Sequence, residues 1–224
     1  MKKPLLRGYF HEWMFFISIG ACIPLINKST NSTELIATVV YSIGIFMMFG
    51  FSALYHRVNW RPEVLKLMRR LDHSSIFIMI AGSFTPICLL VLPENIGFQL
   101  LTIMWIIAGI GILQTFLFTN VPRLVRAGIY LIAGYIAIPY LSVLSTVMGF
   151  TNFSLTVAGG TIYSVGAISY GLKFPDFSPK YFGYHEFFHV LVSLAAILHF
   201  IVIYSIVGQG LISVSYTHLR AHET

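Results

Sequence analysis

Charge and cysteine are both scarce in this chain, and each shortage excludes whole classes of protein. Only 10% of the 224 residues are charged, where a soluble domain carries roughly a quarter. The 57% hydrophobic content rules out a soluble protein, and it rules out a disordered one because disorder needs low hydrophobicity. Two cysteines cannot staple a secreted module. Cys22 and Cys88 lie in long apolar runs and read as small packing residues. A net charge of +6 would suit nucleic acid, but the basic residues sit in short loops between apolar runs. They form no continuous soluble face, so no nucleic-acid partner is expected.

Long apolar sequence is what the chain has in abundance. A bilayer core of roughly 30 Å takes about 20 helical residues. Stretches of that order recur at 13–26, 35–55, 74–92, 98–118, 127–147, 153–172 and 186–207. The expected fold is all-α, a polytopic bundle of seven transmembrane helices occupying residues 1–212, in a cell membrane and surrounded by its lipids. The first stretch also resembles the apolar core of a secretory signal, with Lys2, Lys3 and Arg7 ahead of it, but six further stretches follow and no small-x-small cleavage site precedes Asn27. Twelve Lys and Arg fall in the N-terminus and the second, fourth and sixth connections, against Lys28 and Arg220 on the other side. Basic residues resist translocation, so the N-terminus is expected in the cytoplasm. Residues 213–224 break composition abruptly and read as a non-native tail. Pro24, Pro86 and Pro139 fall inside spans and bend them. Gly159, Gly160, Ala167 and Gly171 read as close helix contacts.

Ionisable groups at membrane depth are costly, so each is a candidate for function. The candidates are His56 with Ser52 at the end of the second span, Asp72 and His73 at the start of the third, and His185, Glu186 and His189 opening the seventh. An alternating topology brings these ends to one side. Ser52 with His56, and His185 with His189, are i,i+4 pairs that share a helix face. Three histidines with one open position is the donor set of catalytic zinc, which activates a bound water. Asp72 is then placed to orient or deprotonate that water, and Ser52 to donate a hydrogen bond. The plainer reading, interfacial or core histidines, stays open for these and is preferred for His199, while His11 and His73 read as interfacial. The segment HEFFH at 185–189 also matches H-E-x-x-H, in which Glu serves as general base of a metalloprotease. That reading lacks a downstream third ligand and would borrow Asp72 or Asp176. In a membrane bundle Glu186 would instead face the interface.

Three blocks carry a family resemblance: FSALYHRV at 51–58, RRLDHSSIFIMIAGSFTPICL at 69–89 and GYHEFFHVLVSLAAILHF at 183–200. In this order they resemble the hemolysin III proteins and the wider progestin and adiponectin receptor superfamily. The resemblance implies a seven-helix bundle with zinc held by His56, His185 and His189, with Asp72 and Ser52 beside the metal water. It also implies hydrolysis of a lipid amide of the ceramide kind. The alternative is a receptor-like or pore-forming cytolytic protein in which zinc only staples helices. The first span keeps aromatic and acidic residues but no convincing motif, so His11 and Glu12 receive no role.

Overall fold

The computed structural model describes residues 4–118, 120–178 and 180–209. The expected tail at 213–224, Arg220 and the domain boundary at 212 lie outside the described residues. The apolar runs form helices: α1 Tyr9–Asn27, α2 Ser32–Arg57, α3 Pro62–Leu90, α4 Glu94–Leu117, α5 Arg123–Tyr135, α6 Leu141–Val147, α7 Gly149–Leu172 and α8 Tyr184–Ile206, with a 3-10 turn at Ile138–Tyr140 between α5 and α6. Among the described residues the β structure is one isolated bridge, Ser178 to Phe182. Local chemistry sets the ends. The Asn31 side chain accepts from the Glu34 amide at 2.9 Å and caps α2. Pro62 opens α3 at a position where its missing N–H costs nothing.

Three boundaries differ from the sequence expectation. α1 begins four residues before Trp13, which carries His11 into the bundle. α3 begins at Pro62, so Asp72 stands ten residues inside a helix and not at its mouth. The stretch 127–147 is two helices, because Pro139 has no N–H to give and its ring clashes with the preceding turn.

Among the described residues, six segments are long and apolar enough to cross a membrane: the helices α1, α2, α3, α4 and α8, and the broken segment Arg123–Val147. α7 has 24 residues, a spanning length, but its glycines, serines and threonines make it less apolar and it is not among the six. The bundle exposes Trp13, Phe16, Ile17, Phe98, Ile110 and Leu113, a surface fit for acyl chains and not for water. The chain is an all-helical polytopic membrane protein.

Neighbouring helices run antiparallel. Gly44 of α2 meets Met79 and Gly82 of α3, Trp105 of α4 bonds Thr85 of α3, and Gly166 of α7 meets Phe188 and Leu191 of α8. α1 and α8 run in the same direction, since His11 touches His189 at one end and Lys28 reaches Tyr204 at the other. The same end of the bundle therefore holds the start of α1, the end of α2, and the starts of α3, α5 and α8, together with the arginines and lysines of the described residues apart from Lys28. Cys22 and Cys88 are buried, as expected of packing residues. Of the expected small-residue contacts, Gly159 packs on His199 and Gly171 on Leu124 and Ala127, whereas Gly160 faces a cavity.

The α3–α4 hairpin closes over Gly97, where a Cβ would collide with the backbone carbonyl oxygen of Cys88. A backbone atom cannot swing aside. Gly97→Ala is expected to cost about 1–3 kcal/mol by overpacking, read as a lower melting temperature in detergent. Gly109→Ala on the same helix, with nothing within 4 Å of its new methyl, is expected to leave melting unchanged.

Candidate metal centre

Three elements supply the centre. His56 lies in the last turn of α2, on the buried stripe that includes Tyr41, Ile45, Phe49 and Ser52. His185 and His189 lie one turn apart at the start of α8. Their candidate ligand nitrogens all fall within 4.8 Å of one another. The ring centroids stand 4.8 Å apart for His56 and His185, 5.1 Å for His56 and His189, and 4.7 Å for His185 and His189. Among the described residues the cluster has these three members, and no carboxylate or thiolate completes it. The donors fit a divalent metal, because three imidazoles can each offer one lone pair. Nδ1 of His189 is buried with no hydrogen-bond partner, a situation that is costly unless something such as a cation satisfies it. The group can hold a metal ion.

The remaining expected residues stand around it. Ser52 is 3% exposed, and its side chain is within hydrogen-bonding reach of the Asp72 carboxyl. Asp72, Ser52 and the three histidines all line one cavity of about 770 Å³. From the centre it extends past Tyr130, Ile138 and Leu144 to Tyr163 and His199, so most of its wall is hydrocarbon and aromatic ring.

Three expectations are corrected and a fourth holds. His11 is not interfacial: it is 3% exposed, its ring stacks on that of His189 at 3.8 Å and 9°, and its Nδ1 lies 2.8 Å from Ser52 Oγ. Gly8 makes this possible. It adopts φ +84° at the head of α1, and any Cβ there would come within 2.7 Å of the His56 Cβ. His73 faces the cavity and lies 3.4 Å from the Arg126 guanidinium. Glu186 does not face the interface: it is 0% exposed, one carboxylate oxygen is ion-paired with Arg7, and the other accepts from the Gly183 amide at 2.9 Å. His199 agrees with the core reading preferred for it: its Nε2–H donates to the Thr156 carbonyl oxygen at 3.1 Å and ties α8 to α7, and the ring also borders the cavity.

His11 could have been found. The buried positions of α1 are His11, Met14, Ser18, Cys22 and Leu25, steps of three and four that place His11 in phase with the inward stripe.

The model of the family described as haemolysin-III related matches residues 1–200. The chain is 36% identical over 173 residues to "Hemolysin-3" of Bacillus cereus, covering 75% of this chain and 78% of that one. It is 24% identical over 200 residues to the human "Monocyte to macrophage differentiation factor", covering 88% and 81%. It is 26% identical over 202 residues to the "Adiponectin receptor protein" of Drosophila melanogaster, covering 81% of this chain and 46% of that one. A family match over nearly the whole helical bundle, with a bacterial relative above one-third identity, means that the chain belongs to the haemolysin-III related family.

Proposed function

We propose that the protein is a zinc-dependent hydrolase of lipid amides, built as seven membrane spans with the N-terminus in the cytoplasm of a bacterial cell. The observation that carries the reading is a three-histidine group, without a fourth protein ligand among the described residues, on the wall of a large apolar cavity. Structural zinc is closed by four protein ligands, and catalytic zinc keeps one position open. His56, His185 and His189 would hold the ion. Zinc bound there supplies Lewis acidity toward a carbonyl and renders a water acidic near neutral pH.

The chain's own residues account for the rest. The apolar wall holds the acyl chain and excludes bulk water. Asp72 takes a proton from the attacking water as its oxygen bonds to the amide carbon. That proton passes to the amine nitrogen as the C–N bond breaks, leaving fatty acid and amine. Ser52 Oγ lies between His11 and Asp72 and keeps the carboxyl oriented. The metalloprotease alternative needs Glu186 as a free base, and both of its oxygens are already engaged. The name of the Bacillus cereus relative, "Hemolysin-3", supports a cytolytic reading, which a vesicle-leakage measurement separates from hydrolysis.

The test is fatty-acid release from a long-chain amide by the purified full chain in detergent. Release is expected to fall to background after dialysis against a chelator and to return with added zinc. Release that survives chelation, or leakage of dye-loaded vesicles without any release, would overturn the hydrolase reading.

A further inference from the structure

The metal end of the cavity is lined by four arginines, Arg7, Arg69, Arg123 and Arg126, and by one carboxylate, Asp72. Arg7 is neutralised by Glu186. The other three have no ion-pair partner, since the ion pairs among the described residues are Arg7 with Glu186 and Arg57 with Glu12. Arg126 is 8% exposed. Its guanidinium donates to the Val121 carbonyl at 3.1 Å and lies 3.4 Å from His73 Nε2, both of them neutral groups. Arg123 Nη1 is buried with no hydrogen-bond partner, and its guanidinium lies over the rings of Tyr170 at 5.3 Å and Tyr184 at 5.1 Å. Tyr170 in turn stands edge-on to His185 at 5.2 Å, so one aromatic ring separates Arg123 from the metal centre. Arg69 sits at the exposed rim.

A topology signal needs basic residues in the loops, where water and lipid head groups solvate them. It does not need Arg126 buried beside neutral hydrogen-bond partners, with the one Asp72 carboxylate to offset the charges of Arg69, Arg123 and Arg126 around the same cavity end, because excess buried charge is expensive. A guanidinium fork is matched by a carboxylate or a phosphate. The orphaned Arg123 nitrogen and the buried Arg126 flank the place where the polar end of a substrate must lie if its amide is to meet the three histidines.

We infer that the cavity selects an anionic amphiphile, a fatty amide whose amine half carries a carboxylate or phosphate, seated on Arg123 and Arg126 with its acyl chain toward Leu144. This rests on the reading of the cavity as a substrate chamber and narrows the substrate class.

Two matched probes test it: N-dodecanoylglycine, which is anionic, and N-dodecanoylethanolamine, which is neutral and of the same length. N-Dodecanoylethanolamine phosphate serves as the phosphate arm and inorganic phosphate as the free anion. Affinity is read by thermal stabilisation of the zinc-loaded full chain in maltoside micelles. Charge-assisted hydrogen bonds to the guanidinium forks predict that at least one anionic amide binds more than about tenfold tighter than the ethanolamide. Arg126→Gln and Arg123→Gln are each expected to shrink that preference toward unity without loss of zinc, and Arg126→Lys to keep part of it. Equal affinities overturn the inference. So does a preference that survives both glutamine variants, which would assign the anion to the metal, and so does stabilisation by inorganic phosphate as strong as by the amides. Fatty-acid release scored on the same samples separates the two readings. Tight anion binding without release defeats hydrolysis alone, and release from the ethanolamide without anion preference defeats this inference alone.

Discussion

Replacing His56 by alanine is expected to strip the metal from the protein, from about one zinc per chain to under a tenth, with the helical bundle intact. The expectation follows from where the three donors come from. His185 and His189 are one turn apart on α8, while His56 arrives on α2, so its loss leaves two imidazoles on a single helix face and no chelate across the bundle. His185→Ala is expected to do the same from the other side. His199→Ala is the control: His199 is equally a histidine of α8 facing the cavity, but its Nε2 bonds the Thr156 carbonyl, so metal content should not change. The bundle should survive because α2 is held to α3 and α1 along its whole length, by contacts such as Gly44 on Met79 and Gly50 on Phe15. Metal analysis of the purified variants, beside their helical circular dichroism, checks this. A folded wild type that takes up no zinc, or a His56 variant that keeps it, would remove the metal centre and with it the proposed chemistry.

The bundle was legible in the sequence because a bilayer permits few solutions: each apolar run of about 20 residues must satisfy its own backbone, and a helix does so. Alternation then brought His56, Asp72 and His185 to one end without any knowledge of packing. Position along a helix was less legible. The hydropathy of the first run falls away at Trp13, yet the buried stripe continues to His11, because a polar residue can be inward-facing when Ser52 accepts or donates across the interface. Hydropathy marks what lipid tolerates, and a metal end is where the inward face stops being apolar. The same blindness applied to the arginines. Arg69 and Arg70 look alike as topology signals, but successive residues on a helix diverge by about 100°; Arg69 lines the cavity rim, and Arg70 turns toward Phe116 of α4. Arg126 lies on the inward side of α5 with Ala127 and Ala133. Pro139 was visible as a helix breaker, but whether the chain kinks or divides depends on its neighbours, and here a 3-10 turn intervenes. The resulting break lets Ile138 and Leu141 border the cavity.

Asp72→Asn is expected to leave zinc bound and to lower amide turnover by at least about a hundredfold, the scale at which positioned general bases act. Asparagine has the shape of aspartate and can still bond Ser52, so the wall of the cavity is preserved; what it lacks is a basic oxygen to accept a proton. Asp72 lies outside the three-member ligand group, which is why metal content and turnover should part company in this variant, as they cannot in His56→Ala. Ser52→Ala should have the milder effect, since it frees the carboxyl to rotate without abolishing its basicity. Loss of zinc from Asp72→Asn would make Asp72 a ligand and close the open position on which catalysis depends. Turnover within about tenfold of wild type, with zinc retained, would show that the proton goes elsewhere. Only the combination of full zinc and failed turnover fits a carboxylate that works beside the metal and not on it.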